Sequence, residues 1–317
     1  MTKEIRLQTI VVALAGLLAC SPALPRDKSL NGFDVSESLV PAREIRSGGP
    51  GRDGIPALLN PDFVTARKAT FLGADDRVIG LQLGGVAKAY PIRILNYHEI
   101  VNDRVGSTPV AVTFCPLCGT GVVFRADPGG QPRTFGVSGL LYNSNVLLYD
   151  HQSESLWSQL MYQAISGPAR GARLTTLPAE HTTWGAWRQA HPDTLVLEPP
   201  RTSGRNYDVD PYPGYATSAR IWSPVSHQDK RYPSKAVIVG VLLGDTAKAY
   251  PFVELPTGIQ RIDDVINDTP ITLEYDHAST SARVLDASGD ELPSVTAYWF
   301  AWFAFHPETL VYQNGIR

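Results

Sequence analysis

The chain carries one hydrophobic pattern twice. Residues 78–83 and 86–91 are aliphatic and β-branched runs meeting at Gly84 and Gly85, and residues 238–243 and 246–251 repeat them around Gly244 and Asp245. Short apolar runs bounded by turn residues predict β-hairpins. The match continues from Val101, Asn102 and Asp103 to Ile266, Asn267 and Asp268, and from residues 108–114 to 269–275, which sets Cys115 opposite Asp276. Each copy then reaches an aromatic helical stretch, residues 184–191 and 299–306, closed by a His-Pro pair that stops the helix before a further strand.

This pattern predicts a β-rich α+β protein built from two related units of an internal duplication, packed into one body. The first unit spans residues 55–205 and the shorter second unit 206–317, with short helices near residues 57–60, 183–190 and 295–305. The copies differ most after Cys115, where the first unit carries an insertion that includes residues 135–159. Within it, residues 146–149 form a buried-strand run between polar flanks, and the insertion is a natural pocket wall. Asn102-Asp103 and Asn267-Asp268, present in both copies, read as hairpin turns.

Ahead of the first unit, Lys3 and Arg6 precede an apolar stretch that ends in Leu17, Leu18 and Ala19 before Cys20. That order predicts a lipoprotein signal peptide over residues 1–19, with Cys20 as the lipidation site. Ser21 after it favours the periplasmic face of the outer membrane. Residues 20–54, rich in proline and glycine, read as a tether, with order beginning near Ile55. The expected protein is therefore exported, and its expected partner is the membrane, reached through the lipid on Cys20.

The hydrophobic share of 43% suffices for a real core, and a formal charge of −3 offers no basic footprint for nucleic acid. Once Cys20 is committed to lipid, the three cysteines leave one pair, Cys115 and Cys118, on a turn between strand-like flanks. Two thiolates on such a turn resemble one metal knuckle, which needs further donors. His98, found only in the copy with the thiols, is the first candidate and His151 in the insertion the next. Copper or zinc suits these ligands, in metal handling or metal-dependent catalysis. Tyr97, Glu99, Ser138, Tyr142, Asn143 and Asp150 are candidates for the surrounding shell or the substrate side. Two other classes compete: a thiol-disulfide oxidoreductase with Cys115 attacking and His98 lowering its pKa, and an envelope scaffold braced by a structural disulfide. His191 and His306 recur in both copies and read as helix-terminus residues, and Asp276 with His277 reads as a turn.

Gly54-Ile-Pro-Ala-Leu-Leu-Asn-Pro61, Ala87-Lys-Ala-Tyr-Pro91, His98-Glu-Ile-Val-Asn-Asp103, Phe114-Cys-Pro-Leu-Cys-Gly119, Gly136-Val-Ser-Gly139, Leu141-Tyr-Asn143, Leu156-Trp-Ser158 and His191-Pro-Asp-Thr194 together resemble the domain-of-unknown-function family 3179, over roughly residues 50–312. The resemblance implies an exported domain whose pattern includes the histidine and the cysteine pair, and it brings no activity with it. Tyr97 stands where the family pattern has tryptophan.

Overall fold

The β-branched and aliphatic runs pair almost throughout the residues described, 29–314, in a computed structural model of the chain. These residues form a β-rich five-bladed β-propeller. Among them the only α-helices are α1 (Ile92–His98), α2 (Trp184–Ala190) and α3 (Trp299–Phe305), of seven residues each. Residues 1–19 and Cys20 lie outside the described residues.

Blades 1 and 4 are built alike. In blade 1, Arg77–Leu83 pairs antiparallel with Val86–Pro91 and with Glu180–Thr183, and after α2 the strand Leu195–Leu197 returns parallel to Val86–Pro91. Blade 4 repeats this with Val237–Leu243, Thr246–Pro251, Ser294–Tyr298, α3 and Leu310–Val311. In both, a helix tryptophan lies flat on a strand glycine. A β-carbon on Gly80 would stand 2.2 Å from the Trp187 ring, and one on Gly240 would stand 2.4 Å from Trp302. Each indole N–H donates to the threonine seven residues on, Trp187 to Thr194 at 3.0 Å and Trp302 to Thr309 at 2.9 Å. Glycine is needed at these two places because the ring occupies the volume of a side chain.

Blades 2, 3 and 5 are meanders. Blade 2 runs Ile100–Val105, Thr108–Cys115 and Thr120–Arg125; blade 3 runs Phe135–Tyr142, Asn145–Asp150, Leu156–Ser158 and Gln163–Ser166; blade 5 runs Ile259–Ile266, Thr269–Asp276, Ser281–Asp286 and Glu291–Leu292. A cluster around Trp157, Phe135, Trp299 and Trp302 joins blades 2, 3 and 4.

The expected α+β protein of two units is overturned. The helices are single short caps on sheet faces, and the strands form five separate blades, none mixing strands of the two sequence copies, with blades of one copy packed against blades of the other. Thr120–Arg125 packs against Ser294–Tyr298, and Glu180–Thr183 against Ser281–Asp286. Similar hairpins signal similar blades, but nothing in a local pattern says which blade faces which. The insertion folds as a sheet of its own because its strands have full partners.

Three local expectations also change. In place of a helix at residues 57–60, Leu58–Leu59 is an edge strand parallel to Ile100–Val105. Helix α1, capped by Pro91, was not expected from the pattern. Asn102 and Asp103 lie within a strand, and the turn falls at Gly106 and Ser107. The structural counterpart of Asp103 is therefore Asp264, not Asp268. Asp103 accepts from Lys88 and Tyr90, each at 2.7 Å, as Asp264 does from Lys248 at 2.6 Å and Tyr250 at 2.8 Å.

Residues 29–54, expected as tether, are folded onto blade 3. Phe33, Val35, Val40 and Ile45 are buried against Leu140, Leu147 and Tyr149, and Arg46–Ser47 pairs with Leu140 and Leu141. Four apolar side chains spaced through a Pro-rich segment are enough to dock it.

Candidate functional site

Cys115 ends the second strand of blade 2, and Cys118 follows in the turn back to Thr120. The Cys118 amide donates to the Cys115 carbonyl at 3.1 Å, closing the turn. Gly119 takes φ 59° beneath the Tyr298 ring, where a β-carbon would come within 2.8 Å. Both thiols are free and buried. Cys118 lies 3.3 Å and Cys115 3.8 Å from the carbonyl oxygen of Ser144, in the neighbouring hairpin of blade 3.

The same turn occurs twice more with different side chains. In blade 3, the Asp150 carboxylate accepts from the Ser153 amide at 2.7 Å and its hydroxyl at 2.6 Å; in blade 5, Asp276 accepts from the amides of Ala278 at 3.0 Å and Ser279 at 3.3 Å and from the Ser279 hydroxyl at 2.6 Å. The next residue is left-handed in all three turns: Gly119, Glu154 and Thr280, with φ 59°, 55° and 47°. The turn is thus an anion cradle of backbone N–H groups closed by a hydroxyl. Cys115 occupies the carboxylate position and Cys118 the hydroxyl position.

That placement explains the protonation of the pair. Burial raises the Cys115 thiol, but the Cys118 thiol and the amides of Val146, Cys118 and Leu117 all hydrogen-bond its sulfur, and its pKa falls below the ordinary value. Burial and then the Cys115 sulfur push Cys118 well above it. Of the two thiols, Cys115 therefore ionises first and the inner sulfur keeps its proton. Asn145, beside Cys118, donates to Gln159 at 2.8 Å, which in turn donates to Thr113 at 2.8 Å.

Above Cys115 is a cavity of about 210 Å³. Its walls are apolar, from Pro50, Ile55, Leu117, Val137, Leu141 and Val146, with Tyr212 and Trp222 on one side; Glu99 is the one ionisable group besides Cys115 and Tyr212. Burial, then the Cys115 charge, pushes the Glu99 carboxyl up to about 8. At neutral pH the Glu99 carboxyl keeps its proton, beside the sulfur that ionises more readily of the two.

Helix α1 ends in three residues with separate tasks. His98, expected as a nitrogen ligand, has Nδ1 at 2.7 Å from the Pro56 carbonyl and Nε2 at 2.6 Å from the Tyr207 hydroxyl. A carbonyl only accepts, so Nδ1 carries the proton, and Nε2 pairs with the Tyr207 hydroxyl, which also bonds Ser203 at 2.8 Å. Tyr97 donates to the Val209 carbonyl at 2.9 Å. Both residues hold the segment that carries Tyr212 and Trp222, while Glu99 faces the cavity. The far end of that segment is held by Asn143, whose Oδ1 accepts from the Ser226 amide and hydroxyl, each at 2.8 Å. Lys235 donates to the carbonyls of Tyr215, Ser218 and Arg220 between them.

The remaining expected site residues lie in other sets. His151 stacks on Tyr149 with centroids 5.0 Å apart, and Asp150 is used by its own turn, by Arg133 at 2.7 Å and by Trp157 at 2.8 Å. Ser138 donates to the Leu147 carbonyl inside a strand irregularity, and Tyr142 packs edge-on against Phe305. Among the described residues, no group of three or more His, Cys, Asp or Glu side chains is gathered as for a metal ion. Tyr212 and Trp222 went unrecognised in sequence because they sit in irregular chain. Only the recurrence of Asp150-His-Gln-Ser153 as Asp276-His-Ala-Ser279 could have exposed the cradle.

A family model described as "Protein of unknown function (DUF3179)" matches residues 52–309. No curated protein and no solved structure matches the chain.

Proposed function

Taking as premise that the chain belongs to the DUF3179 family, we propose that it is a thiol-disulfide oxidoreductase of the cell envelope, exported and anchored through lipid on Cys20, that reduces a small disulfide with Cys115 and Cys118. The observation that carries this reading is the cradle. Two sister turns keep the same backbone with aspartate and serine, so the fold does not require sulfur there.

In the first step the Cys115 thiolate attacks one sulfur of R–S–S–R′. The S–S bond breaks, a bond from Cys115 to the R sulfur forms, and R′S⁻ leaves with the Glu99 proton. In the second step Cys118 gives its proton to the Glu99 carboxylate and attacks the Cys115 sulfur; RS⁻ departs and takes that proton. The sum is two substrate thiols and an oxidised Cys115–Cys118 pair, with Glu99 left ionised. An external dithiol reverses the protein's oxidation by the same exchange. A low-pKa outer sulfur and a high-pKa inner one suit attack and resolution respectively.

Mass spectrometry of single-cysteine variants tests this. Cys118→Ser is expected to accumulate a mixed disulfide on Cys115, and Cys115→Ser to leave Cys118 unmodified in the folded protein. Stoichiometric copper or zinc in protein purified without chelating tags, lost in Cys115→Ser, would instead favour a metal site and sink the exchange reading.

A further inference from the structure

Resting on the exchange reading, we infer that the substrate's entering half is small, apolar and not anionic, of the size of a single six-membered ring, and that Trp222 and Tyr212 select it. A cavity of about 150 Å³ holds benzene, so about 210 Å³ leaves room for one ring and its sulfur. Its walls are aliphatic or aromatic carbon apart from Cys115, Glu99 and the phenol of Tyr212. Such walls give a carboxylate no cationic partner, and desolvating an unpaired charge is costly. An anionic substrate would also meet the Cys115 sulfur anion in a poorly screened site.

The wall contributed by Tyr212 and Trp222 is built for this purpose and not for the core. The two rings lie 6.1 Å apart, and Tyr215 meets Trp222 edge-on at 4.6 Å. Trp222 is nevertheless 51% exposed, so it stands at the mouth with one face to solvent. The segment that carries it has no strand or helix from Arg205 to Ser226, yet it is pinned at His98, Tyr97, Asn143 and Lys235. Four anchors on an irregular segment hold an exposed indole in one place. A half-exposed indole fixed over an apolar pocket presents a stacking face to an incoming ring.

Stopped-flow kinetics on the mature full chain tests the inference with two aromatic disulfides. Dithiodipyridine is neutral and dithiobis(nitrobenzoate) carries two carboxylates. The ratio of their rates with Cys115 is compared with the ratio for a free small thiol. The expected result is a ratio at least about tenfold larger for the protein, reduced toward the free-thiol value in Trp222→Ala and retained in Trp222→Phe. Equal ratios for protein and free thiol, or an undiminished ratio in Trp222→Ala, overturn the selectivity while leaving the exchange reading intact. Failure of the folded protein to react with either reagent, when the unfolded protein reacts with both, overturns the exchange reading as well.

Discussion

Glu99 holds φ 56°, a left-handed angle that side chains rarely take, at the end of α1. Its amide donates to Leu95 and its carbonyl accepts from Phe114, each at 2.7 Å, so the helix end and the strand of Cys115 impose the angle together. The result is a carboxyl in the cavity that Cys115 also lines. Its proton has a thermodynamic sign. The folded protein keeps it up to about pH 8, whereas the unfolded chain releases it near 4.5. Between these values the unfolded state binds fewer protons, so this group lowers stability as pH rises and the loss levels off above about 8. Glu99→Gln removes the loss. Chemical denaturation is expected to show little difference from the parent near pH 4.5 and a gain on the order of 4 kcal/mol by pH 8, at about 1.4 kcal/mol per unit. Exchange kinetics is expected to move the opposite way: the rate falls in the variant, and the parent's decline above about pH 8 disappears with the acid that caused it. An unchanged pH profile would remove Glu99 from the chemistry.

At the scale of elements, the three cradles offer a transplant. Replacing Cys115 by Asp and Cys118 by Ser reproduces the side chains of the turns at Asp150 and Asp276. The double variant is expected to fold with a denaturation midpoint close to the parent's, because the amides and hydroxyl of the cradle are satisfied, while all reaction with disulfides is lost. A large fall in the midpoint would mean that sulfur itself braces the blade. The element scale also shows what was readable in advance. The hairpin runs of blades 1 and 4, α2, and the strand run at residues 146–149 follow from apolar periodicity and from glycine and proline punctuation, all local properties. Helix α1 and the strand at Leu58–Leu59 were not legible. Each is a short segment whose state is set by the sheet beside it, Leu58–Leu59 by the Ile100–Val105 edge and α1 by burial of Ile94, Leu95 and His98.

For the whole molecule, the segment ahead of blade 1 matters more than its composition suggests. Residues 29–47 cover Leu140, Leu147, Tyr149 and Leu156, and their last strand pairs with Leu140 and Leu141, two residues that line the cavity. A chain beginning at Gly48 is expected to lose several kcal/mol of stability through exposure of that cluster, read as a lower urea midpoint, and to react faster and less selectively at Cys115. An unchanged midpoint would restore the segment to a tether.

The sequence by itself determined the β-rich character, the equivalence of the blade 1 and blade 4 hairpins, the singular thiol pair and its family. These depend on side-chain type and spacing along a strand. Tertiary structure decided how the blades meet, that the ring nitrogens of His98 serve Pro56 and Tyr207, and that Glu99, Tyr212 and Trp222 surround Cys115. Those facts follow from which distant surfaces bury one another, and burial and charge proximity, which set the Cys115 and Glu99 protons, exist only once the chain has folded.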